Sequence, residues 1–341
     1  MITIDGEAGG GQMLRTALTL SLITDRPFEI TEIRGNRPTP GLKPQHLTAV
    51  ELAADLCDAE LSGASQGSES LTFRPGSDWK TTLSADVGTA GSLTLLFDTV
   101  LPVASALDEQ LSVTATGGTD VKWSPTVGHY RHVKLPLLAR HGLQASVTLD
   151  RTGFYPAGGG KATLTAEPST LSPLALDRRG GLDAISVYSK ASADLEDSEV
   201  AARQAGHAAE LLTDAGLPVA DAHVAYVETD STGSALVAAG EYERTILGVD
   251  ALGEPGLPSE EVAAGAVERF VDLHRAGAVV DPHMADQTMV YLALAGGTVA
   301  IPRVTDHVET NLAVIEAFEQ PLSLSERGGT HLLEATPEET R

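Results

Sequence analysis

The chain has 341 residues, 42% of them hydrophobic, and sets 23 Lys and Arg against 47 Asp and Glu, a formal net charge of -24. At that length a single core stops growing, so two domains, or one large domain carrying an insert, are expected. No run approaches the roughly 18 apolar residues of a membrane span, and a broadly basic nucleic-acid-binding face is excluded by the charge balance.

Only six lysines occur (Lys43, Lys80, Lys122, Lys134, Lys161 and Lys190), whereas acidic residues are scattered throughout. Such a surface repels itself and suits concentrated salt, where the Debye length falls to about 3 Å; a halophile-like protein is expected. A nucleic-acid partner would have to meet a local basic cluster. Cys57 is the sole cysteine, so an internal disulfide and a cysteine-based zinc site are excluded. Its place in LTAVELAADLCDAEL reads as a small buried apolar residue. MITIDGEAGGGQ lacks the charged, apolar and small-residue regions of a signal peptide, so a cytoplasmic protein is expected.

In chain order, hydrophobic periodicity gives strand ITID, helix GQMLRTALTLSLIT, strand FEITEI, helix PQHLTAVELAADLC and strands AELSG and SLTFRP, a βαβαββ unit. Residues 81–167 repeat it with TTLSAD, AGSLTLLFDTVLPVASA, QLSVTAT, PTVGHYRHVKLPLLARHG, QASVTLD and KATLTAE. A third unit is expected to open at AISVYSKA (184–191) and to resume at ADQTMVYLALAG, TVAIPRV, ETNLAVIEAF, LSLSE and HLLEAT. Between its halves lie helix DSEVAARQAGHAAELLTDAG, strands VAYVETD and ALVAAGEY, and helix PSEEVAAGAVERFVDLHRAG, enough for a small α/β domain. The expected fold is therefore α/β (α+β): a large domain of three βαβαββ units over 1–186 and 279–341, with a small α/β domain inserted at 187–278.

Four motifs carry candidate chemistry. GGGQMLR (9–15) follows a strand and opens a helix, so its amides would approach a phosphate closely; it fits neither a dinucleotide fingerprint nor a P-loop, and a ligand-free tight turn explains it equally. RGNRPTPGLKPQH (34–46) gathers Arg34, Arg37 and Lys43 in a Pro/Gly-stiffened loop, which favours phosphate binding over a solvated loop paired to carboxylates. FYPAGGGK (154–161) reads as a hairpin connection. HMADQ (283–287) puts Asp286 and Gln287 in the first turn of a helix, where capping and ligand contact are both open. Beside these stands VTDHVETN (304–311): His307 precedes a helix, as His46 does in the first unit, and no metal-ligand spacing surrounds it. If the three units pack about a pseudo-threefold axis, such helix starts would line one anion-attracting cleft. A neutral imidazole is a competent nucleophile toward phosphorus when a carbonyl or carboxylate holds its other nitrogen; adjacent Asp306 is not assigned that task.

GGGQMLRTALTLSLIT, RGNRPTPGLKPQHLTAVELA, FYPAGGGK, HMADQ and DHVETNLAVIEAF, in this order, closely resemble the RNA 3'-terminal phosphate cyclase family over essentially the whole chain. The resemblance implies three units of the type found in the C-terminal domain of translation initiation factor three, plus a smaller insert. It also implies that His307 is adenylylated by ATP, that AMP passes to an RNA 3'-phosphate, and that the neighbouring 2'-hydroxyl closes a 2',3'-cyclic phosphate. By motif match, Arg15, Arg34, Arg37, Gln45 and His46 would bind nucleotide or phosphate; Pro125, Asp286 and Gln287 would line the adenylate pocket, and His283 would stack on adenine. Mg²⁺ or another divalent cation is implied too. The family places a Glu immediately before GGGQ; Ala8 stands there, and Glu7, one position earlier, is the matching metal candidate. The alternative is a non-catalytic paralogue that binds ribosomal RNA precursors, a branch lacking the nucleophile. An enolpyruvyl transferase of related units would need substrate motifs that are not found.

Overall fold

The computed structural model describes residues 1–336. The first unit comprises β1 (Ile2–Asp5), α1 (Gly11–Thr24), β2 (Phe28–Thr31), α2 (Pro44–Cys57), β3 (Glu60–Ser62) and β4 (Leu71–Arg74). Its strands lie in the order β1-β2-β4-β3, with β1 and β2 parallel and the rest antiparallel. The second unit holds β5 (Thr82–Asp86), α3 (Leu93–Val100), β6 (Leu111–Gly117), α4 (Val127–His129), a π-helical turn (Tyr130–Lys134), α5 (Leu135–Ala139), β7 (Ala145–Arg151) and β8 (Gly160–Ala166). Its order, β5-β6-β8-β7, is the same topology.

The third unit departs from expectation at its start. Its first strand is β9 (Leu174–Leu176), which runs parallel to a later strand of that unit. AISVYSKA instead lies inside β10 (Leu182–Ser192), in the inserted sheet, so the expected boundary at 186/187 cuts through a strand. Three residues, LAL, are too few to show a period, whereas the eleven-residue β10 is an obvious strand; the stronger signal took the weaker one's place.

After β10 come α6 (Val200–Asp214), β11 (Val219–Val227), β12 (Ser234–Tyr242), β13 (Ile246–Leu252) and α7 (Ser259–Arg275). The insert's sheet runs β11-β10-β12-β13. β13 went unseen in the sequence, and β11 starts earlier than VAYVETD suggests, because its alanines blur the alternation. The third unit resumes with α8 (Pro282–Gln287), α9 (Met289–Ala295), β14 (Gly297–Ile301), α10 (Asp306–Ala317), β15 (Leu322–Arg327) and β16 (Thr330–Ala335); the order β9-β14-β16-β15 repeats the unit topology.

Alternation puts Ile2 and Ile4 of β1, and Leu111, Val113 and Ala115 of β6, on inner faces, and the three units share one apolar cluster. α1 packs against α2, α3 and α10, so helices from all three units meet. Cys57 is fully buried, as expected of an apolar residue. The insert has its own core, built on Ile185, Leu236, Ala266 and Phe270. It is fastened to the body by Val237, Ala239 and Ile246, which join the main apolar cluster, and by polar contacts: Arg140 donates to the carbonyls of Tyr242 and Thr245, and Lys190 Nζ lies 2.6 Å from Asp120. No described helix is long and apolar enough to cross a membrane.

Candidate active site

α1 lies at the centre of the site. It begins at Gly11, where a Cβ would stand 2.4 Å from His46 Nε2, so glycine is what lets the two helix starts approach. Two side chains then pin α10 against α1: Gln12 Nε2 donates to Thr310 Oγ1 at 3.0 Å, and Thr16 Oγ1 donates to Asn311 Oδ1 at 3.0 Å. α10 is capped by Thr305, whose Oγ1 accepts from Val308 N, and this leaves His307 in the first turn, pointing outward. Its side chain is 54% exposed, and Nδ1 lies 3.4 Å from Asp286 Oδ2. That separation exceeds a formed hydrogen bond and falls in the range catalytic pairs show before substrate draws them together.

Asp286 is not the cap of its helix. α8 starts at Pro282, and the capping acid is Asp281, which accepts from the amides of His283 and Met284 at 2.9 and 3.0 Å. Asp286 therefore sits in the last turn, free of the capping role that the sequence left open, and faces His307. Next to it opens a cleft lined among others by Arg15, Asp98, Lys134, Asp286, Gln287 and Asn311.

The floor of this cleft is charged and buried. Lys134 is 1% exposed; its Nζ donates to Asp98 Oδ1 at 2.5 Å and to Gln287 Oε1 at 2.9 Å. Burial lowers its pKa, the neighbouring carboxylates of Asp98 and Asp286 raise it, and Arg15 lowers it further. Removing either member of the Lys134–Asp98 pair would leave an uncompensated buried charge, about 3–5 kcal/mol. Arg15 is likewise lowered by burial and supported by Asp98 and Asp286; a guanidinium stays cationic under such shifts. Neither Lys134 nor Asp98 was a candidate from sequence. The π-helical turn is what brings Lys134 inward, and no local pattern announces it.

A second hollow adjoins the first through Arg15 and includes Gln45 and His46. His46 Nδ1 accepts from Lys43 N at 3.2 Å, closing the first turn of α2. Burial, reinforced by Arg15, Arg34 and Lys43, holds its pKa down to about 3. The ring is therefore neutral, with its proton on Nε2, facing Gly11 and Arg15. Gln45 Oε1 accepts from Ser92 N at 3.2 Å, linking the first two units.

The loop arginines divide. Arg34 is 8% exposed and its Nη1 donates to the carbonyls of Thr39 and Gly41 at 2.7 and 2.9 Å, so it closes the loop. Arg37 is exposed, approaches Gly10 at the start of α1, and has no ion-pair partner among the described residues. Pro125 is buried, with its carbonyl bound by Thr94 Oγ1. His283 borders the same region, its ring edge-on to that of His129 at 5.3 Å.

A model of the RNA 3'-terminal phosphate cyclase family matches residues 6–322. The RNA 3'-terminal phosphate cyclase of Halobacterium salinarum is 44% identical over 335 residues, covering 95% of this chain and 96% of the relative. Those of Methanosarcina mazei and Pyrobaculum aerophilum are each 40% identical, covering 93% and 98% of this chain and 95% and 97% of theirs. The chain belongs to the RNA 3'-terminal phosphate cyclase family. It is an enzyme of the ligase class.

For a cyclase the divalent cation implied above needs a donor set. Among the described residues no three His, Cys, Asp or Glu side chains converge to hold one. Glu7 is exposed, and the nearest carboxylate in sequence, Asp5, is engaged by the Glu7 amide at 2.9 Å. Glu7 thus offers a single exposed carboxylate, with no closed cage around it among the described residues.

Proposed function

We propose that this cyclase converts an RNA 3'-phosphate to a 2',3'-cyclic phosphate at the expense of ATP, through AMP carried on His307. Asp286 faces Nδ1, so Nε2 is the nitrogen turned toward the solvent side of the cleft. Nε2 attacks the α-phosphorus of ATP, forming an N–P bond as the bond to pyrophosphate breaks. A 3'-phosphate oxygen of the RNA then attacks the same phosphorus, displacing the imidazole and leaving an RNA–pyrophosphate–adenosine end. Last, the 2'-hydroxyl attacks the 3'-phosphorus, losing its proton, and AMP departs. The ribose holds that hydroxyl beside the phosphorus, so ring closure has high effective molarity.

The chain's residues supply charge and alignment. Arg15 and Lys134 offset the carboxylates of Asp98 and Asp286 in the cleft floor, exposed Arg37 adds a cation at the start of α1, and the neutral His46 offers an Nε2–H donor rather than a further charge. The α10 N-terminus adds the positive end of a helix dipole next to the nucleophile.

The observation that carries this reading is the approach of His307 Nδ1 to Asp286 beside the cleft that holds Arg15 and Lys134. The alternative, a non-catalytic binder of ribosomal RNA precursors, needs no oriented imidazole. Incubation with ATP and an oligoribonucleotide ending in a 3'-phosphate separates the two. The expected outcome is an end resistant to phosphatase, with one AMP released per end; an end that stays phosphatase-sensitive, at any salt concentration, contradicts it.

A further inference from the structure

Asp250 lies on β13, in the inserted sheet, yet both its carboxylate oxygens serve the body. Oδ2 accepts from Thr126 N at 2.6 Å, and Oδ1 lies 3.3 Å from His283 Nε2. Its side chain is 8% exposed. Burying a carboxylate at a domain junction is costly unless charge or hydrogen bonds compensate it, and Asp250 finds both across the junction. Thr126 follows Pro125 and caps α4; His283 stands in the first turn of α8, three residues before Asp286.

The surroundings of His283 make its charge state unusual. Burial would lower its pKa, but the hydrogen bond and charge of Asp250, with Asp281 and Asp286 beyond it, raise it to about 9. His129 meets the ring edge-on, and its own Nε2 lies 3.0 Å from Asp281 Oδ2. Asp250 in turn is held below the usual carboxylate range: burial opposes ionisation, and His283, His129 and the Thr126 amide outweigh it. At neutral pH the ring is therefore an imidazolium, half-exposed, with one nitrogen anchored by a residue of another domain.

We infer that Asp250 is a positioning residue for adenylate binding: through its contacts with the Thr126 amide and His283 Nε2 the inserted domain fixes the orientation of the His283 ring toward the nucleoside. The inference rests on the adenylyl-transfer reading and adds a role for the insert. A purine offers its π face to such a ring, and a cation over an aromatic face binds it more strongly than dispersion alone. A free imidazole at this place would be about one quarter protonated at pH 7 and rotationally loose; a carboxylate on Nε2 removes both deficits.

The test uses Asp250→Asn, which keeps the size and one acceptor but loses the charge, and His283→Phe, which keeps a stacking ring and needs no carboxylate. Two readouts are taken on the full chain after thermal melts establish folding: the NMR titration of the His283 ring, assigned by its loss in the His283→Phe protein, and the ATP dependence of single-turnover protein–AMP formation. In Asp250→Asn the titration midpoint is expected to fall by at least about one pH unit, which is about 1.4 kcal/mol of differential interaction. The half-saturating ATP concentration should rise about 5- to 30-fold, with less than about a threefold change at saturation. In the His283→Phe background the same substitution should change half-saturation by less than about twofold. An unmoved midpoint overturns the proposal. So does an equal loss in both backgrounds, which would mean Asp250 acts only by holding the Thr126 amide. Should the wild type form no protein–AMP, the adenylyl-transfer reading fails separately, and the titration together with equilibrium ATP binding still decides the role of Asp250.

Discussion

The second helices of the first and third units are topological equivalents, and each carries a histidine in its first turn, yet the two rings have opposite fates. In α2, His46 turns Nδ1 back to its own backbone, is half-buried beside cations and stays neutral. In α10, His307 is more than half exposed, and its Nδ1 faces a carboxylate from a different helix. One ring is closed off as a fixed hydrogen-bond donor; the other is left with a free, outward nitrogen. Sequence position is alike in both, and the chemistry is set by what the neighbouring elements bring: Arg15 to the first, Asp286 to the second.

The largest expected effect removes one side of this contrast. His307→Ala should reduce protein–AMP formation and cyclisation by about 10³-fold or more, as loss of a covalent nucleophile does, measured as AMP released per RNA end. Next is Asp286→Asn, which leaves the shape but not the charge behind Nδ1. We expect adenylylation to fall about 10- to 100-fold with little change in half-saturating ATP, the usual consequence of losing an orienting partner. A KM change without a rate change would assign Asp286 to substrate binding instead.

His46→Gln should be milder, about tenfold or less, because an amide N–H replaces the Nε2–H. Its sharper signature is in stability against pH. The folded pKa of His46 is about 3 against 6.5 for an unperturbed imidazole, so the unfolded chain binds the extra proton and stability falls as pH drops from about 6.5 toward 3. His283 has the opposite sign: its folded pKa of about 9 gives a contribution fully present below 6.5 and lost as pH rises through 9. Chemical denaturation across pH should therefore show a shallower acid limb in His46→Gln and a shallower alkaline limb in Asp250→Asn. The smallest and most diffuse effect is that of salt. With a net charge of -24, folding or activity should improve in molar KCl, and indifference to salt would contradict the halophile reading.

Much of this contrast was legible in the chain itself. The repeated βαβαββ order, the RGNRPTPGLKPQH loop and the two helix-opening histidines follow from local period and turn chemistry, and the sheets repeat one topology in all three units. What stayed hidden depends on contacts between distant segments. Lys134 sits in HVKLPLL, where a lone lysine looks like a solvated one; only folding against Asp98 and Gln287 shows it buried. Asp250 reads as an ordinary acid in an acidic chain until β13 is set against Thr126 and His283. Arg34 and Arg37 look interchangeable three residues apart, and the loop's own carbonyls decide which is occupied. β9 was lost because three residues carry no period.

The central claim is that the outward nitrogen of His307 carries AMP. Protein incubated with α-labelled ATP, then digested and mapped by mass spectrometry under alkaline conditions, should show one adenylate per chain on the peptide containing His307. The label should be lost in acid and absent from His307→Ala. Adenylate on another residue, or undiminished label in that variant, would contradict the account.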